Sequence, residues 1–136
     1  MATRSKKRPR RPAVPPPLHE LESEVMEQLW KSGEASVRAV MQSLNQETGK
    51  DRAYTTYMTI MARLHKKGLL IRRREGKADY YAPAYDRDEY LALRASAEVE
   101  DLVSQYGDVA LSHFAEHMAK LDPARRRALQ RLARKS

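Results

Sequence analysis

Residues 53–83 read AYTTYMTIMARLHKKGLLIRRREGKADYYAP, and the periodicity changes halfway along them. At about 100° per residue, Tyr57, Ile60, Met61 and Leu64 fall on one side of a helix spanning roughly 53–67. Arg52, Thr55, Thr56, Thr59, Ala62, Arg63 and Lys66 fall on the other. One face is apolar and suits a core; the opposite face is small, hydroxylated and basic. Gly68 then stops the helix, and Leu69, Leu70 and Ile71 with Arg72, Arg73 and Arg74 read as a strand. The chain turns through Glu75, Gly76 and Lys77 into a second strand, Ala78 to Ala82, which Pro83 ends.

Threonine is a mediocre helix former, so three on one exposed face call for an explanation. Small side chains let a helix approach base edges in the major groove, where threonine methyls and hydroxyls can meet bases and arginine can reach guanine or phosphate. Arg52, Thr55, Thr56, Thr59, Arg63, Lys66 and Lys67 are therefore candidate contacts to double-stranded DNA. Arg72, Arg73, Arg74 and Lys77 in the hairpin would lie over the phosphate backbone or the minor groove. Between Arg52 and Lys77 the only acid is Glu75.

Upstream, Leu18, Leu21, Val25, Leu29 and Trp30 describe an amphipathic helix ended by Gly33. Ser36 is placed to cap a second helix carrying Val37, Val40, Met41 and Leu44, closed by the polar stretch 45–51 with Gly49. Helix, helix, helix, hairpin is the winged helix-turn-helix arrangement, and the order is more specific than any one element. The expected fold is mainly α with a small β-hairpin, followed by a helical dimerisation segment.

That segment, residues 84–136, has nine basic and nine acidic side chains, so the surplus charge lies upstream. Its apolar stripes include Leu91, Val99, Leu102 and Val103, then Leu111, Phe114 and Met118, then Leu129 and Leu132. About fifty residues cannot enclose a sizeable core alone, which implies that two copies interlock as a homodimer through these side chains. Residues 1–17 hold Arg4, Lys6, Lys7, Arg8, Arg10 and Arg11 with no acid, then four prolines. They are expected to be a disordered basic tail. The winged domain is expected over 18–83.

Composition agrees with a nucleic-acid partner: 136 residues carry a formal charge of +8, and the pI is about 9.9. The absence of cysteine excludes disulfides, zinc-finger ligation and thiol catalysis, and fits a cytoplasmic protein. No apolar run approaches a membrane span, and no cofactor is implied. His113, Glu116 and His117 spell the H-x-x-E-H pattern of a zinc peptidase helix. So short a chain has little sequence left for a third ligand and a cleft, so neither a metal site nor an enzyme is expected. The competing functions are a winged-helix regulator controlled by a directly bound small ligand and a non-specific nucleic-acid-binding architectural protein.

Residues 53–64 with Lys66, Lys67, Gly68, Leu69 and the strand end Tyr80-Tyr81-Ala82-Pro83 resemble the penicillinase repressor family, as does the opening Leu21 to Trp30. The resemblance implies a winged helix, a C-terminal dimerisation domain and repression at a palindromic operator of β-lactam-resistance or related genes. It also implies inactivation through a membrane sensor-protease pathway that cuts before Phe114, here between His113 and Phe114. Where the best-known members have asparagine, this chain has His113. A cysteine-rich tail, as in copper-responsive relatives, is lacking.

Overall fold

The computed structural model describes residues 11–135. Its first compact unit extends to Ala95 and is built from α1 (Glu20–Ser32), β1 (Ala35–Ser36), α2 (Val37–Thr48), α3 (Tyr54–Lys66), β2 (Leu70–Glu75) and β3 (Ala78–Pro83). The glutamate side chain of Glu22 accepts the His19 N–H at 3.0 Å, which satisfies an orphan donor at the start of α1. Ser36 Oγ accepts the Ala39 N–H at 3.2 Å and caps α2 as expected. Gly68, with φ of 81°, takes the left-handed conformation that ends α3.

The three helices and the sheet enclose one core. Val25, Met26 and Leu29 of α1 meet Val40 and Leu44 of α2 and Tyr57, Met61 and Leu64 of α3, with Leu69, Leu70 and Tyr81 closing it from the hairpin. The sheet is antiparallel in the order β1-β3-β2, with Arg72 opposite Tyr81 and Arg74 opposite Asp79. The short β1 pairs Ala35 with Tyr81 and Ser36 with Tyr80. It tethers the wing to the start of α2. This is the winged helix-turn-helix fold.

Two expectations are corrected. Of the tail, residues 1–10 lie outside the described residues, but 11–17 are seated against the protein. The Tyr85 hydroxyl donates to the Pro12 carbonyl, the Tyr90 hydroxyl to Pro16 O at 3.0 Å, and Arg94 to Pro15 O at 3.2 Å. Arg11 bonds Glu89 at 2.9 Å and sits 4.3 Å over the Tyr85 ring. Proline has no N–H to give to a ladder but keeps its carbonyl as an acceptor, so tyrosine and arginine donors anchor the segment through its carbonyls while the Pro15 side chain is itself fully buried. The winged unit also continues past residue 83, because Tyr85 and Tyr90 belong to its core. Tyr90 packs on Trp30 at 5.5 Å, and the Trp30 indole donates to Tyr85 O at 2.8 Å.

The second unit, Ser96–Ser136, contains the later part of α4 (Arg87–Tyr106), α5 (Asp108–Ala119) and α6 (Pro123–Lys135). Asp122 caps α6 by accepting the Arg125 N–H at 2.8 Å. No side chain from residue 96 to 134 is buried.

Candidate nucleic-acid interface

The outer surface of α3 is built by what its inner surface needs. Tyr57, Met61 and Leu64 are fully enclosed, which turns Thr55, Thr56, Thr59, Ala62, Arg63 and Lys66 out to solvent, all exposed. The helix thus presents the hydroxylated and basic face expected of it. Tyr54 and Met58 are exposed as well, at 41% and 43%.

Arg52 departs from that face. Its guanidinium reaches Glu24 at 3.0 Å and the Tyr57 hydroxyl at 3.2 Å, and its side chain is only 18% exposed. The Tyr57 hydroxyl in turn donates to Asn45 Oδ1 at 2.7 Å, and the Asn45 amide donates to Arg52 O at 2.9 Å. The hydrogen bonds it donates to Tyr57 and Glu24 raise its pKa and hold the guanidinium firmly charged. Arg52 is a brace between α1, α2 and the start of α3.

Lys67 does the same at the other end, bonding Glu22 at 2.8 Å. Burial pushes the Glu22 carboxyl up, but the His19 N–H and the Lys67 ammonium outweigh it and hold it below the usual glutamate range. Two acids of α1, at positions 22 and 24, thereby pin both ends of α3. Helical spacing could not reveal this, since the pairs join residues 28 and 45 apart in sequence.

In the wing, Arg73 is held by Glu34 at 3.0 Å and Glu75 at 2.7 Å, and lies 4.9 Å over Tyr80. Arg74 pairs with Asp79 at 3.1 Å, which lowers the Asp79 pKa. Glu34 is likewise held below the carboxylate range by Arg73. Arg63, Lys66, Arg72 and Lys77 carry no ion pair among the described residues, and neither does Arg38 of α2. Arg38 was not singled out in the sequence, because α2 carried no basic cluster; its guanidinium lies 5.7 Å over the Tyr54 ring. Cations without carboxylate partners are those from which DNA phosphates take least away.

The apolar positions in the second unit stay open. Val99, Leu102, Leu111, Phe114, Met118, Leu129 and Leu132 are exposed, as is Leu91 in the first part of α4; Val103 is half-buried. His113 and Phe114 lie inside α5. His113 Nδ1 is 3.2 Å from Glu116 and both are exposed, and among the described residues no three potential ligands converge on a metal position. Nor is any described helix long and apolar enough to cross a membrane.

A family model described as penicillinase repressor matches residues 18–135. The transcriptional regulator BlaI of Mycobacterium tuberculosis is 42% identical over 120 residues, covering 85% of this chain and 84% of that protein. The penicillinase repressor of Bacillus licheniformis is 29% identical over 80 residues, covering 59% and 61%. Among solved structures, the hsRosR-S4 complex superposes with a TM-score of 0.50 at 14% identity, over 77% of this chain and 93% of that one, and supports the fold alone.

Proposed function

Since this chain belongs to the penicillinase repressor family and is therefore a DNA-binding transcriptional repressor rather than an enzyme, we propose that it acts in the cytoplasm as a homodimer. Its operator would be palindromic, one half-site per winged unit, controlling β-lactam-resistance or related genes. The observation that carries this is the outer face of α3, where Thr55, Thr56 and Thr59 stand exposed beside Arg63 and Lys66, cations with no ion pair among the described residues. Thr55, Thr56 and Thr59 read bases, while Arg63, Lys66, Arg72 and Lys77 hold phosphates. Arg73 and Arg74 add to the positive field with their charges partly met inside the wing. Arg52 and Lys67 support α3 from within.

The test is a titration of operator, selected from a random-sequence pool, against random duplex at fixed salt. Thr59→Ala should cost roughly 1 kcal/mol or more on the selected site and little on random DNA. Equal loss on both would remove Thr59 from base reading. A chain binding all duplexes alike would instead be the architectural protein.

Release by cutting between His113 and Phe114, through a membrane sensor-protease pathway, would act on a bond within α5. A protease needs an extended chain, so cutting there depends on local opening of that helix. Release by a directly bound small ligand is the second reading. An apolar groove of about 350 Å³ between Leu102, Tyr106, Val109 and Phe114 favours it. Operator release by added ligand without chain cleavage would establish that route.

A further inference from the structure

We propose that Met58 is a base-reading residue that takes the 5-methyl group of a thymine, beside a strand whose phosphate Arg38 holds. The inference rests on the groove-facing role of α3 argued above. Met58 stands on α3 at about 100° from Tyr57, so it borders the threonine face on the side toward the wing. It lines a cleft of about 380 Å³ with Arg38, Tyr54, Lys77, Ala78 and Tyr80.

A lone exposed methionine is ordinary on a protein surface. Here three observations coincide. Met58 is 43% exposed on the helix whose neighbouring positions Thr55, Thr59 and Ala62 are all open. The cleft beside it is rimmed by two cations, Arg38 and Lys77, for which no ion pair occurs among the described residues. Asp79, the cleft's acid, is already engaged by Arg74. The cleft therefore suits a polyanion and sets the apolar Met58 side chain beside it.

What methionine can read is narrow. Its thioether donates no hydrogen bond and accepts only weakly, so it cannot distinguish the donor and acceptor patterns of guanine, cytosine or adenine. The one apolar feature on a base edge in the major groove is the thymine methyl. A flexible, polarisable side chain can fold over that methyl without demanding one geometry. Arg38, carried on the first turn of α2 and set over the Tyr54 ring at 5.7 Å, approaches the same cleft from a second element and would fix the strand relative to it.

The experiment uses the full-length protein and its selected operator, with each thymine of a half-site replaced in turn by deoxyuridine, which strips only the methyl group. At one position the wild-type protein should lose roughly threefold or more in affinity, the worth of one buried methyl. Met58→Ala should bind the unmodified operator more weakly by a similar factor and show no further loss at that deoxyuridine, while random-duplex binding stays unchanged. Met58→Leu, which keeps an apolar side chain, should restore the methyl dependence. Arg38→Ala should weaken operator and random DNA alike and lower the salt slope by about one unit. The proposal is overturned if no deoxyuridine affects the wild type, or if Met58→Ala and Met58→Leu both keep the wild-type pattern of penalties. A wild-type protein with no preference for the selected operator would remove base reading by α3 altogether, an outcome distinct from the failure of Met58 alone.

Discussion

Glu22 is 1% exposed and ionised, so its stability contribution depends wholly on its two donors. Lys67→Met leaves the carboxylate buried with the His19 N–H alone, at a cost on the order of 2 kcal/mol, below the value for a fully buried pair because Lys67 is 28% exposed. Urea unfolding at neutral pH measures it. The native pKa of Glu22 is lowered, so its contribution is fully present above the unfolded value of about 4.3 and disappears as pH falls through the lower native value. Lys67→Met should accordingly flatten the loss of stability between pH 5 and pH 3. Among the wing arginines, Arg72→Ala should lower the salt slope of DNA binding by about one unit. Arg73→Ala should lower it less, since Arg73 must leave Glu34 and Glu75 to serve a phosphate fully. Equal slopes for the two variants would show that the intramolecular pairs yield to DNA at no cost.

Among the elements, α1, α2 and α3 were legible because each carries an apolar period of its own ended by Gly33, Gly49 or Gly68, and the hairpin because an apolar run and a basic run turn through Gly76 into a strand that Pro83 ends. The two-residue β1 has no period to read. It exists because Ala35 and Ser36 pass beside the exposed edge of β3. Arg52 lies two residues before α3, where the helical spacing that puts it on the outer face no longer applies. Ala53 has an extended backbone with ψ of 154°, so the residues before Tyr54 no longer follow the helical wheel. Met58 belongs to neither face that the spacing separates, and only the packing shows that it stands open at the border between them. The seating of residues 11–17 depends on Tyr85, Tyr90 and Arg94, more than seventy residues away, and no local pattern encodes it. The cap of α2 was legible and is testable: Ser36→Ala should cost about 1 kcal/mol in urea unfolding, because the Ala39 N–H loses its acceptor. Ser36→Asp should retain the cap and the stability.

For the whole molecule, the contrast between the two units sets the expectation for assembly. Among the described residues the winged unit buries fourteen hydrophobic side chains, whereas residues 96–134 bury none and leave Leu102, Leu111, Phe114 and Leu132 open to solvent. Three helices with single apolar stripes exposed in this way lack a reason to remain apart from a second copy. Two truncations separate the units differently. Ending the chain after Pro83 removes Tyr85 and Tyr90 and uncovers Trp30, so that fragment should unfold at lower urea than one ending after Ala95. The fragment ending after Ala95 keeps its core and should be a folded monomer that retains weak binding to random DNA, because α3 and the wing are intact. Its affinity for a two-half-site operator should fall by orders of magnitude, since the second half-site no longer adds its contacts through a tether. Leu102→Asp or Leu111→Asp in the full chain should reproduce that loss by placing an unpartnered charge in the interface. Sedimentation of the full chain at micromolar concentration is decisive: a monomer, or a fragment ending after Ala95 that holds the operator as tightly as the full chain, would leave the dimer without support.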